Sequence, residues 1–223
     1  MLRRKILIGS YDTALDGLWT LTGLELSTPE QETNFVAVPG RRAGPLDLST
    51  VLTDGDPVYG TRELTITLES SEGSHADREE RISAMINWLD GWRHEIVLPD
   101  DPDRYLIGRV SVFKNYNDLA HAAVTVTALC EPWRYSFVEQ VYTLTAATSK
   151  RTTTLLNRGR MTVVPLLTVT GDGAAVTLVY GTASWTLGAG TYSLPDLALK
   201  QGDSLLTYSG SGTVRVTYRE AVL

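Results

Sequence analysis

The chain has 223 residues, 43% of them hydrophobic, and a formal net charge of -6, which allows one large core or two modest ones at the usual domain size of about 100–150 residues. A single cysteine, Cys130, excludes an intrachain disulfide and a thiolate metal cluster and takes redox and zinc chemistry out of consideration. An acidic balance repels phosphate, so specific nucleic-acid binding is not expected.

The first ten residues, MLRRKILIGS, carry basic groups followed by an apolar run of only Ile6, Leu7 and Ile8. That is far short of the roughly 7–15 apolar residues at the centre of a signal peptide, and no segment approaches the roughly 20 that span a membrane. The expectation is a protein made in the cytosol with no membrane partner. Leu18–Leu26, Phe35–Val38 and RELTITLE, in which Leu64, Ile66 and Leu68 share one face, alternate with period two and predict β-strands.

Between the second and third of these strands lies VPGRRAGPLDLS, residues 38–49. Pro39, Gly40, Gly44 and Pro45 forbid regular structure there, while Arg41 and Arg42 make the segment cationic and Leu46 and Leu48 leave it partly apolar. A stiff loop loses little entropy on docking, so Pro39, Gly40, Arg41, Arg42, Gly44 and Leu46 are candidates for an interface. The competing reading is a surface loop with solvated arginines.

The one predicted helix lies in SEGSHADREERISAMINWLDGW. Ile82, Met85, Ile86 and Leu89 fall at i, i+3, i+4 and i+7, Ser74 and Asp77 form an acidic variant of the capping box, and Gly91 suits the left-handed position past the end. Trp88 and Trp92 flank that end and are expected to cover the sheet. HEIVLPDDPDRYLIGRVSVF then predicts a short strand, an acidic proline turn and a longer strand with Leu106, Gly108, Val110 and Val112 on one face. A hairpin through KNYNDL returns into AAVTVTALC, where Val124, Val126, Ala128 and Cys130 alternate inward, and Pro132 closes the strand.

From about residue 135 the texture changes to Thr-rich strands. Glycine turns are predicted at TGDGAA, VYGTAS and YSGSGT, the pattern of a compact β-sandwich. Charge changes at the same place: residues 1–134 hold 13 Lys/Arg against 21 Asp/Glu, a net of -8, whereas residues 135–223 hold 7 against 5, a net of +2. Two domains are therefore expected, residues 1–134 and 135–223.

Candidate chemistry is sparse. His75, His94 and His121 have no metal-ligand spacing, and Glu95, Asp100, Asp101 and Asp103 lack the order of a calcium loop, which leaves a solvated turn. Cys130, inward on an apolar strand, is expected to be a structural thiol. TGDGAAV lacks the lysine of a phosphate loop, and no GxSxG elbow occurs. No catalytic residue, metal or cofactor is assigned, so an enzyme is not expected. Tyr180 and Trp185 could stack on a sugar, against the alternative that they pack in the core.

The ordered set of a Val-Pro-Gly-Arg-x-x-Gly loop, a lone helix ending in INWLDGW, the DDPDRYLIGRV strand, the LCEPWRY junction and LLNRGRMTVVPLLTVTGDG resembles the distal tail protein (Dit) family of siphophages and prophages of Gram-positive bacteria. The resemblance spans nearly the whole chain. It implies a mainly β fold with one helix: an N-terminal β-sandwich-like ring domain plus helix, and a C-terminal galectin-like β-sandwich. It further implies a structural hub of the tail tip or baseplate in the virion. Six copies would form a homohexameric ring joining the major tail tube protein to a tail-associated fibre or lysin protein, with DNA passing through the ring and the acidic excess repelling its phosphates. The alternative is a carbohydrate-binding, lectin-like module for attachment to the host surface.

Overall fold

The computed structural model describes residues 4–40, 43–53 and 55–223. The chain divides into two compact units, one reaching to Arg134 and including Leu223, the other Tyr135–Val222. Strands dominate, and the described residues contain a single α-helix. In chain order the first unit holds β1 (Leu7–Ile8), β2 (Tyr11–Asp12), β3 (Thr20–Leu26), β4 (Phe35–Val36), β5 (Leu46–Asp47), β6 (Arg62–Ser70), α1 (His75–Leu89), β7 (Arg93–Leu98), β8 (Asp101–Asn117) and β9 (Ala122–Cys130). The second is built on β10 (Arg134–Thr145), β11 (Arg151–Asn157), β12 (Leu166–Tyr180), β13 (Ala183–Leu187), β14 (Gly190–Ser193) and β15 (Gly202–Val222).

In the first unit β3, β6, β9, β8, β7, β1 and β2 pair in that order, each step antiparallel. The period-two pattern decides which face is dry. Leu64, Ile66 and Leu68 of β6, Leu106 and Val110 of β8, and Val124, Val126 and Cys130 of β9 are all buried in one cluster with Ile82, Met85 and Leu89 of α1. Each such aliphatic side chain contributes about 1.5–3 kcal/mol by leaving water. Gly108 is where β8 passes Cys130, and a Cβ there would stand 2.6 Å from the Cys130 sulfur. The opposite face carries Thr65, Thr67, Thr125, Thr127 and Ser111, which remain partly open to solvent.

Helix α1 starts where the sequence places it. The Asp77 amide donates to Ser74 Oγ at 3.2 Å, and Asp77 Oδ2 accepts from the Ser74 amide at 2.8 Å. The Ser74 amide and hydroxyl both donate to the Asp77 carboxylate and hold it below its ordinary range. Gly91 follows the end with φ +76°. Two expectations for the helix are corrected. Its buried stripe is Arg78, Ile82, Met85 and Leu89, so Ile86 is only half-buried. Trp88 therefore falls on the outer face at 57% exposure, and Trp92 beyond the end is 66% exposed, so neither ring is sealed against the sheet.

In the second unit β13, β12, β15 and β10 pair in that order, with β11 also on β15 and β14 also on β12. β12 and β15 are long, and each folds back on the same core: Leu167, Val169, Val176 and Leu178 of β12, and Leu206, Tyr208, Val214 and Val216 of β15, belong to one buried cluster. The expected turns at TGDGAA and YSGSGT are bends inside these continuous strands. Register shifts between Thr170 and Ala175, and the inward positions of β12 pass from odd to even numbers across the shift. Backbones meet closely at the bend. A Cβ on Gly210, at φ +114°, would lie 2.1 Å from the Ala175 carbonyl oxygen, so glycine is required by contact as well as by dihedral. VYGTAS is a true hairpin turn, between β12 and β13.

The Asn-Arg-Gly sequence at 157–159 has a packing origin. Asn157 is fully buried, donates to the carbonyls of Met161 and Leu199 at 2.9 Å each, and accepts from the Gly159 amide at 2.9 Å. A Cβ on Gly159 would stand 2.5 Å from the Ala221 carbonyl oxygen. One side chain thus ties β11 to the two neighbouring segments around Met161 and Leu199, which bridge to each other at Val163 and Leu199.

Candidate interaction surface

Among the described residues no constellation for chemistry assembles. Among the described residues no group of three or more His, Cys, Asp or Glu side chains could hold a metal ion. The acidic turn is dispersed into ion pairs: Asp100 with Arg4 at 3.4 Å, and Asp101 with Arg104 at 3.2 Å and Arg134 at 3.1 Å. Cys130 is fully buried, and desolvation pushes its thiol up to about 11, which leaves it protonated and unreactive at neutral pH. His121 precedes β9 and Cys130 ends it, so the strand separates them.

Tyr180 and Trp185 pack against the second core, and the Tyr180 hydroxyl donates to the Ala198 carbonyl at 3.0 Å. Trp185 alternates along β13 with buried Leu187, while Ser184 and Thr186 take the exposed positions. The inward half of the strand therefore claims the ring that a sugar platform would need outside.

What the first unit does expose is an arm. β4 and β5 pair only with each other, Phe35 opposite Asp47 and Val36 opposite Leu46. A lone two-stranded hairpin is marginal in water, and this one is braced at its base: the Asn34 amide donates to Ser49 Oγ at 2.8 Å, and the Leu48 amide to the Asn34 carbonyl at 2.8 Å. The Ser49 hydroxyl and amide both donate to Asp47 Oδ1, which lowers the Asp47 carboxyl below its ordinary range. Beyond the base the described apolar side chains stand open to solvent. Phe35 is 57% exposed, and Val36, Val38 and Leu46 are exposed with it.

Of the residues singled out in the sequence, Pro39, Gly40, Gly44 and Leu46 all lie exposed on this arm. Both glycines have φ of +80° with open space where a Cβ would stand. Arg41 and Arg42 lie outside the described residues. Sequence reasoning missed Phe35 and Val36, which it placed in an ordinary strand. The available signal was that the two are adjacent, so one pleat cannot bury both.

A second exposed feature is the loop 118–121 between β8 and β9. The Asp118 carboxylate accepts from the amides of Ala120 and His121 at 2.7 Å each, bonds that hold it below its ordinary range. The Asp118 amide donates to the His121 carbonyl at 2.8 Å. From beneath, buried Arg78 donates to the carbonyls of Asp118 at 2.8 Å and Leu119 at 3.1 Å, to Asn117 Oδ1 at 3.3 Å and to the Gly73 carbonyl at 2.7 Å. The loop is fixed in place, and at its tip Leu119 is 94% exposed.

Neither a family model nor a curated protein sequence matches the chain. A solved structure does. The SPP1 Dit (gp 19.1) protein, described as a paradigm of the hub adsorption apparatus in phages infecting Gram-positive bacteria, superposes with a TM-score of 0.69 over 96% of this chain and 98% of its own, at 16% identity. The chain has the Dit fold. With so low an identity the likeness is one of architecture, and its coverage extends through both units. In this chain INWLDGW closes the helix and LCEPWRY spans the division between the units.

Proposed function

We propose that this protein is the structural hub of a phage tail tip. Six copies form a ring through their N-terminal units, which joins the tail tube to the tail-associated fibre or lysin protein, while the C-terminal galectin-like units stand outside the ring. The observation that carries this reading is the likeness to SPP1 Dit over essentially the full length of both chains. The role is non-enzymatic and needs no cofactor, and it makes the protein a component of the virion tail.

The arm formed by β4 and β5 supports the ring in physical terms. Its apolar side chains gain about 25 cal/mol for each Å² covered by a neighbour, and its prolines limit the entropy lost on docking. Arg41 and Arg42 then meet acidic groups of the adjoining copy, on a domain of net charge -8. The lectin reading loses its support with Tyr180 and Trp185 packed against the core.

Size-exclusion chromatography with light scattering on the full chain tests the proposal. A hexamer, or a pair of hexamers, is expected. Arg41→Glu combined with Arg42→Glu is expected to weaken assembly without changing the far-UV spectrum. A monomer that binds in a glycan array would overturn the hub reading, and unchanged oligomer mass for the double variant across a range of salt would remove the arm from the interface.

A further inference from the structure

The fixed loop that displays Leu119 has a complement elsewhere on the same chain. At the far end of β8, where β7 turns into it, Leu7, Val97, Leu98, Pro99 and Pro102 line a mostly apolar cleft of about 360 Å³ with Arg4 and Lys5 also on its wall. β8 has 17 residues, so at ~3.3 Å per residue the cleft and the loop stand up to about 50 Å apart. The loop and the cleft therefore lie at opposite ends of β8.

We infer that Leu119 of one copy seats in the Leu7/Val97/Pro102 cleft of another, a head-to-tail contact between copies of this chain. Three observations carry it. The loop is preorganised by Arg78 and by its own Asp118 turn, so little entropy is lost when it docks. A nearly fully exposed leucine on a rigid turn, at no gain to its own fold, is matched by an apolar hollow ample for one such side chain. Each feature carries charged groups of a sign that the other can meet. Asp118 adjoins the leucine, and Arg4 and Lys5 flank the cleft with side chains 70% and 56% exposed. Each of those cations already has one carboxylate, Asp100 at 3.4 Å and Asp12 at 3.3 Å, and carries more donors than that one pair uses.

A knob and a hole at opposite ends make a heterologous interface, which closes into a ring or continues as a stack according to the rotation between copies. The contact rests on the proposed self-association only in needing a second copy, and it is separate from the arm.

Paired cysteines test it. Leu119→Cys and Val97→Cys are made as separate full-length proteins, with the buried Cys130 left in place, then mixed and oxidised in a glutathione buffer. A disulfide-linked dimer is expected in the mixture and not in either variant alone. Leu119→Asp is expected to weaken self-association at least tenfold by light scattering, and Leu119→Met to restore it. A disulfide in the Leu119→Cys protein alone would mean that the loops meet each other, and would overturn the proposal. So would the absence of any disulfide in a mixture that light scattering shows to be assembled, a result that leaves the hub reading standing. A monomer with no disulfide would overturn both.

Discussion

Replacing Arg78 by alanine removes one of the few polar side chains sealed in the first core. Arg78 is 1% exposed and sits on the stripe of α1 that faces the sheet. Its guanidinium serves three backbone carbonyls, those of Gly73, Asp118 and Leu119, together with Asn117 Oδ1, at 2.7–3.3 Å. A buried acceptor stripped of its donor costs about 1–3 kcal/mol. With some of the vacated volume taken by water, the sum expected for Arg78→Ala is about 3–5 kcal/mol. At an m-value of about 2 kcal/mol per molar urea, that moves the midpoint of the first unit down by about 2 M. Lysine carries the charge without the fork and can satisfy only part of the set, so Arg78→Lys is expected to recover less than half. The assay is urea unfolding followed by fluorescence in a Trp185→Phe background, because Trp19, Trp88, Trp92 and Trp133 all belong to the first unit. A loss below about 1 kcal/mol for the alanine variant, or full recovery by lysine, would refute the account of Arg78 as the clamp on the 118–121 loop.

Three further outcomes follow from particular contacts. Met85→Asp places a charge in the helix–sheet core and is expected to cost more than about 3 kcal/mol, whereas Asp at exposed Ala84 is nearly neutral and at half-buried Ile86 intermediate; equal urea midpoints for the three would disprove the stripe. Gly210→Ala drives a Cβ into the Ala175 carbonyl at the bend of the second unit and is expected to cost more than about 2 kcal/mol, while Gly181→Asn, at φ +57° in open space, changes little; calorimetry on the second transition separates them. Cys130 ionises at about 11 in the folded chain against an ordinary thiol value of 9.0, so the folded state holds its proton longer than the unfolded one. Its share of stability is complete below pH 9 and is lost as pH rises from 9 through 11. Urea midpoints of the native chain are therefore expected to fall faster over pH 9–11 than those of Cys130→Ala, and parallel curves would count against the assignment.

Local physics made much of the first unit legible. Strict alternation in RELTITLE and AAVTVTALC has only one burial solution once paired, and Leu64, Ile66, Leu68, Val124, Val126 and Cys130 all take it. The Ser74–Asp77 box is a contact across three residues, and such contacts depend little on the rest of the chain. The bends of β12 and β15 read as turns in the sequence because a glycine with positive φ serves a hairpin and a strand bend equally well. Only the closeness of Gly210 to Ala175, on a strand thirty-five residues away, tells the two apart. Arg78 was likewise invisible as a core residue. A guanidinium is buried only where acceptors converge on it, and most of these come from residues 117–119, about forty residues further on.

The sequence by itself determined the mainly β class with one helix, the strands of the first sheet and their inward faces, and the helix start, because these rest on period and on neighbours within a turn. Tertiary structure decided what is left outside. Whether Phe35, Leu119 and Trp88 are core or surface depends on how many elements arrive to cover them. That number is a property of the assembled fold, since a side chain is buried only by residues distant in the chain.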